Sequence, residues 1–101
     1  MQYFYRVGLT CNGKFYETHF QQDELMSMEN KEKCLSIVES FVKGIVKCRD
    51  LNPSKIEEIR LFRLDPIDSN SATEFVGQFV LELLYAAENY AKLKEEISAK
   101  D

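Results

Sequence analysis

YFYRVGLTCNGKFYETHF, from Tyr3 to Phe20, is the stretch that decides how the rest of the chain is read. Asn12-Gly13 sits between two runs in which apolar residues alternate with polar ones. A type I′ turn needs positive φ at both central residues, which Asn and Gly tolerate best, so the pattern predicts a β-hairpin. With those two residues as the loop, Thr10 faces Phe15, Leu9 faces Tyr16, Val7 faces Thr18 and Tyr5 faces Phe20. Directly opposed residues share a sheet face. One face then carries Tyr3, Tyr5, Val7, Leu9, Tyr16, Thr18 and Phe20, and the other Phe4, Arg6, Gly8, Thr10, Phe15, Glu17 and His19. The first is a core face and the second is mostly wet. A slip of one residue would mix the two sets, so turn chemistry and hydrophobic pattern specify the same register.

Beyond the hairpin, Gln21 to Glu24 is polar, and Ser27 or Asn30 can cap a helix that runs to about Cys48. Cys34, Leu35, Val38, Phe41, Val42, Ile45 and Val46 recur at steps of three and four, the spacing of one helix face. Leu51-Asn52-Pro53-Ser54 breaks the helix, and Ile56 to Leu64 reads as a third strand with Ile59 and Leu61 inward. Asp65 to Asn70 reads as a loop. Ser71-Ala72-Thr73-Glu74 has the form of a capping box, which predicts a long C-terminal helix to about Ile97, ~40 Å at 1.5 Å per residue. The expectation is an α+β fold with element order ββαβα: a three-stranded antiparallel sheet of order 2-1-3, with two helices packed on one face. A chain of 101 residues fits one domain, residues 1–101.

Apolar residues make up 45% and charged residues 30% of the chain, the composition of an ordered globular protein. No apolar run approaches the ~20 residues that span a bilayer, and the N-terminus lacks the layout of a signal peptide. Cys11, Cys34 and Cys48 are odd in number and show no C-x-x-C spacing. Neither a disulfide framework nor a zinc site follows from them, and a cytoplasmic setting is expected. The net charge of −4 comes from interspersed residues, which argues against a strong non-specific phosphate binder and is too dilute for DNA mimicry.

Catalytic and metal chemistry find little support. His19 is the one histidine, and the hairpin register sets it on the opposite face from Cys11 and ~17 Å along the ladder. Asp65 to Asn70 is rich in oxygen ligands but lacks the alternating acids and central Gly of a calcium loop. No enzyme and no cofactor is expected. Two features rise above this background. On the outer sheet face, Phe4, Arg6, Phe15, His19, Arg60 and Phe62 converge, with Glu17 and Glu58 beside them. Aromatics interleaved with arginines suit either a protein contact or stacked bases with phosphates. In the last predicted helix, Ala72, Val76, Phe79, Leu83, Ala86, Tyr90, Leu93 and Ile97 form a heptad seam. Leu81, Leu84 and Tyr85 lie off that seam, which predicts a self-association patch and a homodimer.

The reading that follows is a non-enzymatic, cytoplasmic binding protein that occupies a surface of a protein partner, such as an inhibitor or adaptor carried by a phage or mobile element. The alternative is a single-stranded nucleic-acid or nucleotide binder that uses the same sheet face. No membrane partner is expected.

Overall fold

The computed structural model describes residues 2–66 and 79–99. Its elements are β1 (Tyr3–Cys11), β2 (Lys14–Gln22), α1 (Lys31–Arg49), a 3-10 turn (Pro53–Lys55), β3 (Ile56–Pro66), β4 (Phe79–Asn89) and α2 (Tyr90–Ala99). The strands form one antiparallel sheet of order β2-β1-β3-β4. The hairpin has the register expected from its turn, running from Tyr3 opposite Gln22 to Cys11 opposite Lys14. Asn12 and Gly13 both have positive φ, 52° and 81°, as a type I′ turn requires.

Asn30 takes the N-cap position of α1, but its side chain makes no capping bond into the helix and turns back to Ser27 instead. The Asn30 side-chain oxygen accepts from the Ser27 backbone N–H at 2.8 Å and from its hydroxyl at 3.2 Å, a closed turn that delivers the chain to the helix. At the other end Asp50 takes a left-handed conformation (φ 52°), and the Leu51 N–H donates to Val46 O at 3.1 Å, which satisfies a terminal carbonyl. Asn52 then accepts from the Ser54 N–H at 3.1 Å and turns the chain into β3. β2 and β3 flank β1 and are both antiparallel to it, so α1 carries the chain across β1 between two mutually parallel strands.

The expectation of three strands and a long last helix is corrected here. Phe79 to Asn89 is a fourth strand paired along β3, and α2 begins only at Tyr90. Of the expected seam, Phe79, Leu83 and Ala86 are strand residues. Ala72 and Val76, the Ser71–Glu74 capping box and residues 67–70 of the expected loop lie outside the described residues. The reason the segment reads as helix is physical. Phe79-Val80-Leu81-Glu82-Leu83-Leu84-Tyr85-Ala86-Ala87 is rich in Leu, Ala and Glu, which favour helices, and Val80 is its one β-branched residue. Strand pairing to β3 overrides that preference, because β-propensity expresses the fit to a pleated surface more than a backbone bias.

Two irregularities hide the period of two. On β3, Gly8 pairs with Arg60 but Thr10 with Glu57, so one extra residue is accommodated near Glu58, whose φ is +53°. That bulge lets Ile56 and Ile59, three apart, both face the core. On β4, Leu61 pairs with Tyr85 but Phe62 with Leu83. Leu84 is the extra residue, and consecutive Leu84 and Tyr85 are both buried, the kind of re-aiming a bulge provides.

The core lies between one sheet face and the two helices. Tyr5, Val7 and Leu9 of β1, Ile56, Ile59 and Leu61 of β3, Val38 and Val42 of α1 and Leu93 of α2 are all essentially inaccessible, each contributing roughly 1.5–3 kcal/mol by leaving water. α1 and α2 lie side by side on this face, with Val42, Tyr90, Leu93 and Ile97 lining the groove between them. The connection before α1 is pinned from below. The Tyr5 hydroxyl donates to Glu24 O at 2.5 Å and accepts from the Met26 N–H at 2.9 Å. Arg63, paired with Asp65 at 2.9 Å, donates to Met26 O at 2.5 Å.

Candidate interaction face

Because β1 turns Tyr5, Val7 and Leu9 into the core, Phe4, Arg6, Gly8 and Thr10 point away from the helices. The ladder carries that parity across the sheet. Three rows result. In the first, Gln21, Phe4, Leu64 and Leu81 stand side by side on β2, β1, β3 and β4. In the second, His19, Arg6, Phe62 and Leu83 do so, and in the third, Glu17, Gly8, Arg60 and Ala86. Phe15 pairs with Thr10 one row further on. All six residues expected on the outer face are on it: Phe4, Arg6, His19, Arg60 and Phe62 are neighbours, and Phe15 stands toward the hairpin end.

Phe15 is tied to the third row through Gly8. A Cβ added at Gly8 would lie 3.0 Å from the Phe15 ring and 3.1 Å from Tyr16 O, so the glycine's missing side chain is the space over which the ring leans. The ring remains 62% exposed.

Arg6 is engaged within the chain. Its guanidinium lies over the Phe62 ring at 5.1 Å from the centroid, and its Nε is 3.7 Å from a Glu17 carboxylate oxygen. Stacking and the ion pair hold the group flat on the sheet and offset its charge. Arg60 and His19 are exposed. One end of the face is apolar, with Phe62 and Leu64 half-buried beside Leu81 and Leu83, which remain 44% and 41% exposed. The other end carries Glu17, Arg60 and Thr10.

Leu64 and Leu83 belong to this face as well; neither is among the contact residues expected there, and Leu83 is expected instead in the helical seam. The alternation of Phe79, Leu81 and Leu83 around Val80 and Glu82 is the signal that marks them. The expected self-association set separates. Leu81 is exposed, but on a strand and on the open sheet face. Leu84 and Tyr85 are 4% and 8% exposed and belong to the core, so neither is available as a surface patch. The Tyr85 hydroxyl donates to a Glu96 carboxylate oxygen. Burial, and then the Glu96 carboxylate, push its pKa well above the ordinary tyrosine value.

The cysteines do not meet His19. Cys11 and Cys34 are buried on the helix side, where their thiols donate to Asn52 O at 3.8 Å and Ser27 O at 3.7 Å. Burial raises the Cys34 pKa, which keeps it a protonated, poorly nucleophilic thiol. His19 lies on the other side of the sheet. Among the described residues no three His, Cys, Asp or Glu side chains gather as metal ligands, and no helix is long and apolar enough to cross a membrane. Comparison of the chain with protein-family models, with curated proteins and with solved structures finds no match.

Proposed function

We propose that this protein is a non-enzymatic binding module that acts by occupying a surface of a protein partner, with the open sheet face as its contact. The observation that carries this reading is the apolar block of Phe62, Leu64, Leu81 and Leu83, with Phe4 alongside, laid across three adjacent strands. Contiguous exposed apolar surface marks interaction sites, and rigid aromatics with a flattened arginine are the usual anchors of such contacts. An inhibitor or adaptor that works by steric occupation needs nothing more. A second copy of the chain is one partner this block can accept, and self-association would then run through Leu81 and Leu83 rather than through a C-terminal helix.

A second reading rests on the three rings and Arg60 sharing one open sheet, the arrangement that stacks single-stranded bases or a nucleotide. The pairing of Arg6 with Glu17 and the net charge of −4 weigh against it. The test is affinity capture from the native host with the wild-type chain and with a Phe62→Ser/Leu83→Ser variant, repeated at rising salt. A protein that the wild type retains at high salt and the variant loses supports the first reading. Capture of nucleic acid that weakens steeply with salt supports the second, and a partner held equally by both chains removes the open face from consideration.

A further inference from the structure

The sheet has a second unoccupied feature, on the helix side and at the other edge. α1 packs chiefly across β3, β4 and β1, which leaves the inward face of β2 incompletely covered. The space between them is a groove of about 440 Å³, lined by Val7, Thr18 and Phe20 from the strands and by Ile37, Ser40 and Phe41 from α1. β2 is the outermost strand, so its outer row of backbone N–H and C=O groups has no strand partner among the described residues. A free strand edge and an apolar groove therefore run side by side.

We infer that this edge and groove take an extended peptide, added antiparallel to β2, whose alternate side chains bury against Phe20, Ile37 and Phe41. Main-chain hydrogen bonds to an exposed edge supply the affinity of such complexes, and pockets for alternate side chains supply the selectivity. The dimensions agree. Same-face residues of a strand recur every ~6.6 Å, close to the ~6 Å rise that separates Ile37 from Phe41 along α1. Charge sets the occupant's polarity. Past Gln22 the groove continues into a hollow lined by Glu24, Met26, Glu32 and Lys33. The Lys33 ammonium is already held by Glu24, so Glu32 leaves the lining of that end net acidic. A strand antiparallel to β2 begins there, so the peptide is apolar at alternate positions with a basic residue at its N-terminal end. This surface is separate from the open sheet face.

The probe is acetyl-Lys-Thr-Val-Thr-Val-Thr-amide, whose lysine and valines share one face of the extended chain, titrated into the full chain and followed by amide chemical shifts. The expected result is saturable shifts over Thr18 to Gln22 and Ser36 to Phe41, with Phe62 and Leu83 unmoved. N-methylation of the peptide amides that face β2 should abolish binding, Ile37→Ser should weaken it at least ten-fold, and exchange of the lysine for glutamate should weaken it about three-fold. Absence of saturable shifts, equal binding by the N-methylated peptide, or shifts centred on the open face would each overturn the proposal. So would a chain that sediments as a dimer through this edge and ignores the peptide. Because the shift map separates the two surfaces, failure here leaves the open-face reading standing, and the reverse holds as well.

Discussion

Leu61 and Phe62 are adjacent on β3 and opposite in environment. Leu61 is fully buried beneath the helices, whereas Phe62 lies half-buried on the open face under the Arg6 guanidinium. Similar apolar side chains thus serve stability on one side of a single sheet and remain available for contact on the other. The sharpest way to break this comparison is to truncate both. Leu61→Ala should cost about 2–5 kcal/mol through lost burial and a residual cavity. Phe62→Ala, at a partly wet site, should cost well under half of that. Urea denaturation of the two variants measures the difference, and equal losses would mean that the open face is as much a structural core as the covered one.

The covered face also fixes the connection to α1, and Tyr5 tests that role. Tyr5→Phe keeps the ring, and its stacking on Phe20 at 5.2 Å between centroids, but removes the acceptor for the Met26 N–H. An unsatisfied buried donor costs about 1–3 kcal/mol. The expected outcome is a loss in that range, with faster amide exchange at Met26 and little change on the open face.

Alkaline pH should find the same asymmetry. Tyr85 and Tyr5 are buried on the helix side, and burial raises both of their pKa values above the ordinary figure. A tyrosine whose folded pKa exceeds its unfolded one contributes its full stability below the unfolded value of about 10 and loses it as pH rises beyond that. Stability should therefore fall above pH ~10, by at most about 1.4 kcal/mol per pH unit for each tyrosine. Tyr85→Phe should flatten that slope, and an unchanged slope would remove Tyr85 from the account.

The hairpin was legible because two unrelated constraints, the φ demands of Asn12-Gly13 and the alternation on both sides, specify one register. The same parities, extended to β3, correctly gathered Phe4, Arg6, Phe15, His19, Arg60 and Phe62 on one face. β4 was not legible, for reasons that can be named. Most of its residues favour helices, and Leu84 inserts a step that makes the apolar positions look helically spaced. Its hydrogen-bonding partner lies more than a dozen residues away, so nothing local records the pairing. The local pattern therefore puts the apolar half of the open face, centred on Leu81 and Leu83, on a helix, and reads the buried pair Leu84 and Tyr85 as surface. The pairing of Arg6 with Glu17 depends on neighbouring strands and becomes visible once the register is known.

The smallest expected effect lies where the two faces differ most in tolerance. Gly8 is on the open side and has no positive φ that would require glycine, so Ala is acceptable to its backbone and would lower the entropy of the unfolded chain, a gain of roughly 0.4–1 kcal/mol. Against that gain, the new methyl would lie 3.0 Å from the Phe15 ring and 3.1 Å from Tyr16 O. The exposed ring can swing away, but the Tyr16 carbonyl belongs to the strand paired with β1 and must shift with it, a cost of about 1–3 kcal/mol by the usual measure of overpacking. The cost outweighs the gain, and Gly8→Ala should destabilise by about 1 kcal/mol. Repeating the substitution in a Phe15→Ala background separates the causes. If the ring carries the clash, the penalty should vanish there. If it persists unchanged, the carbonyl carries it, and the open face is held by its backbone spacing rather than by the aromatic that leans across it.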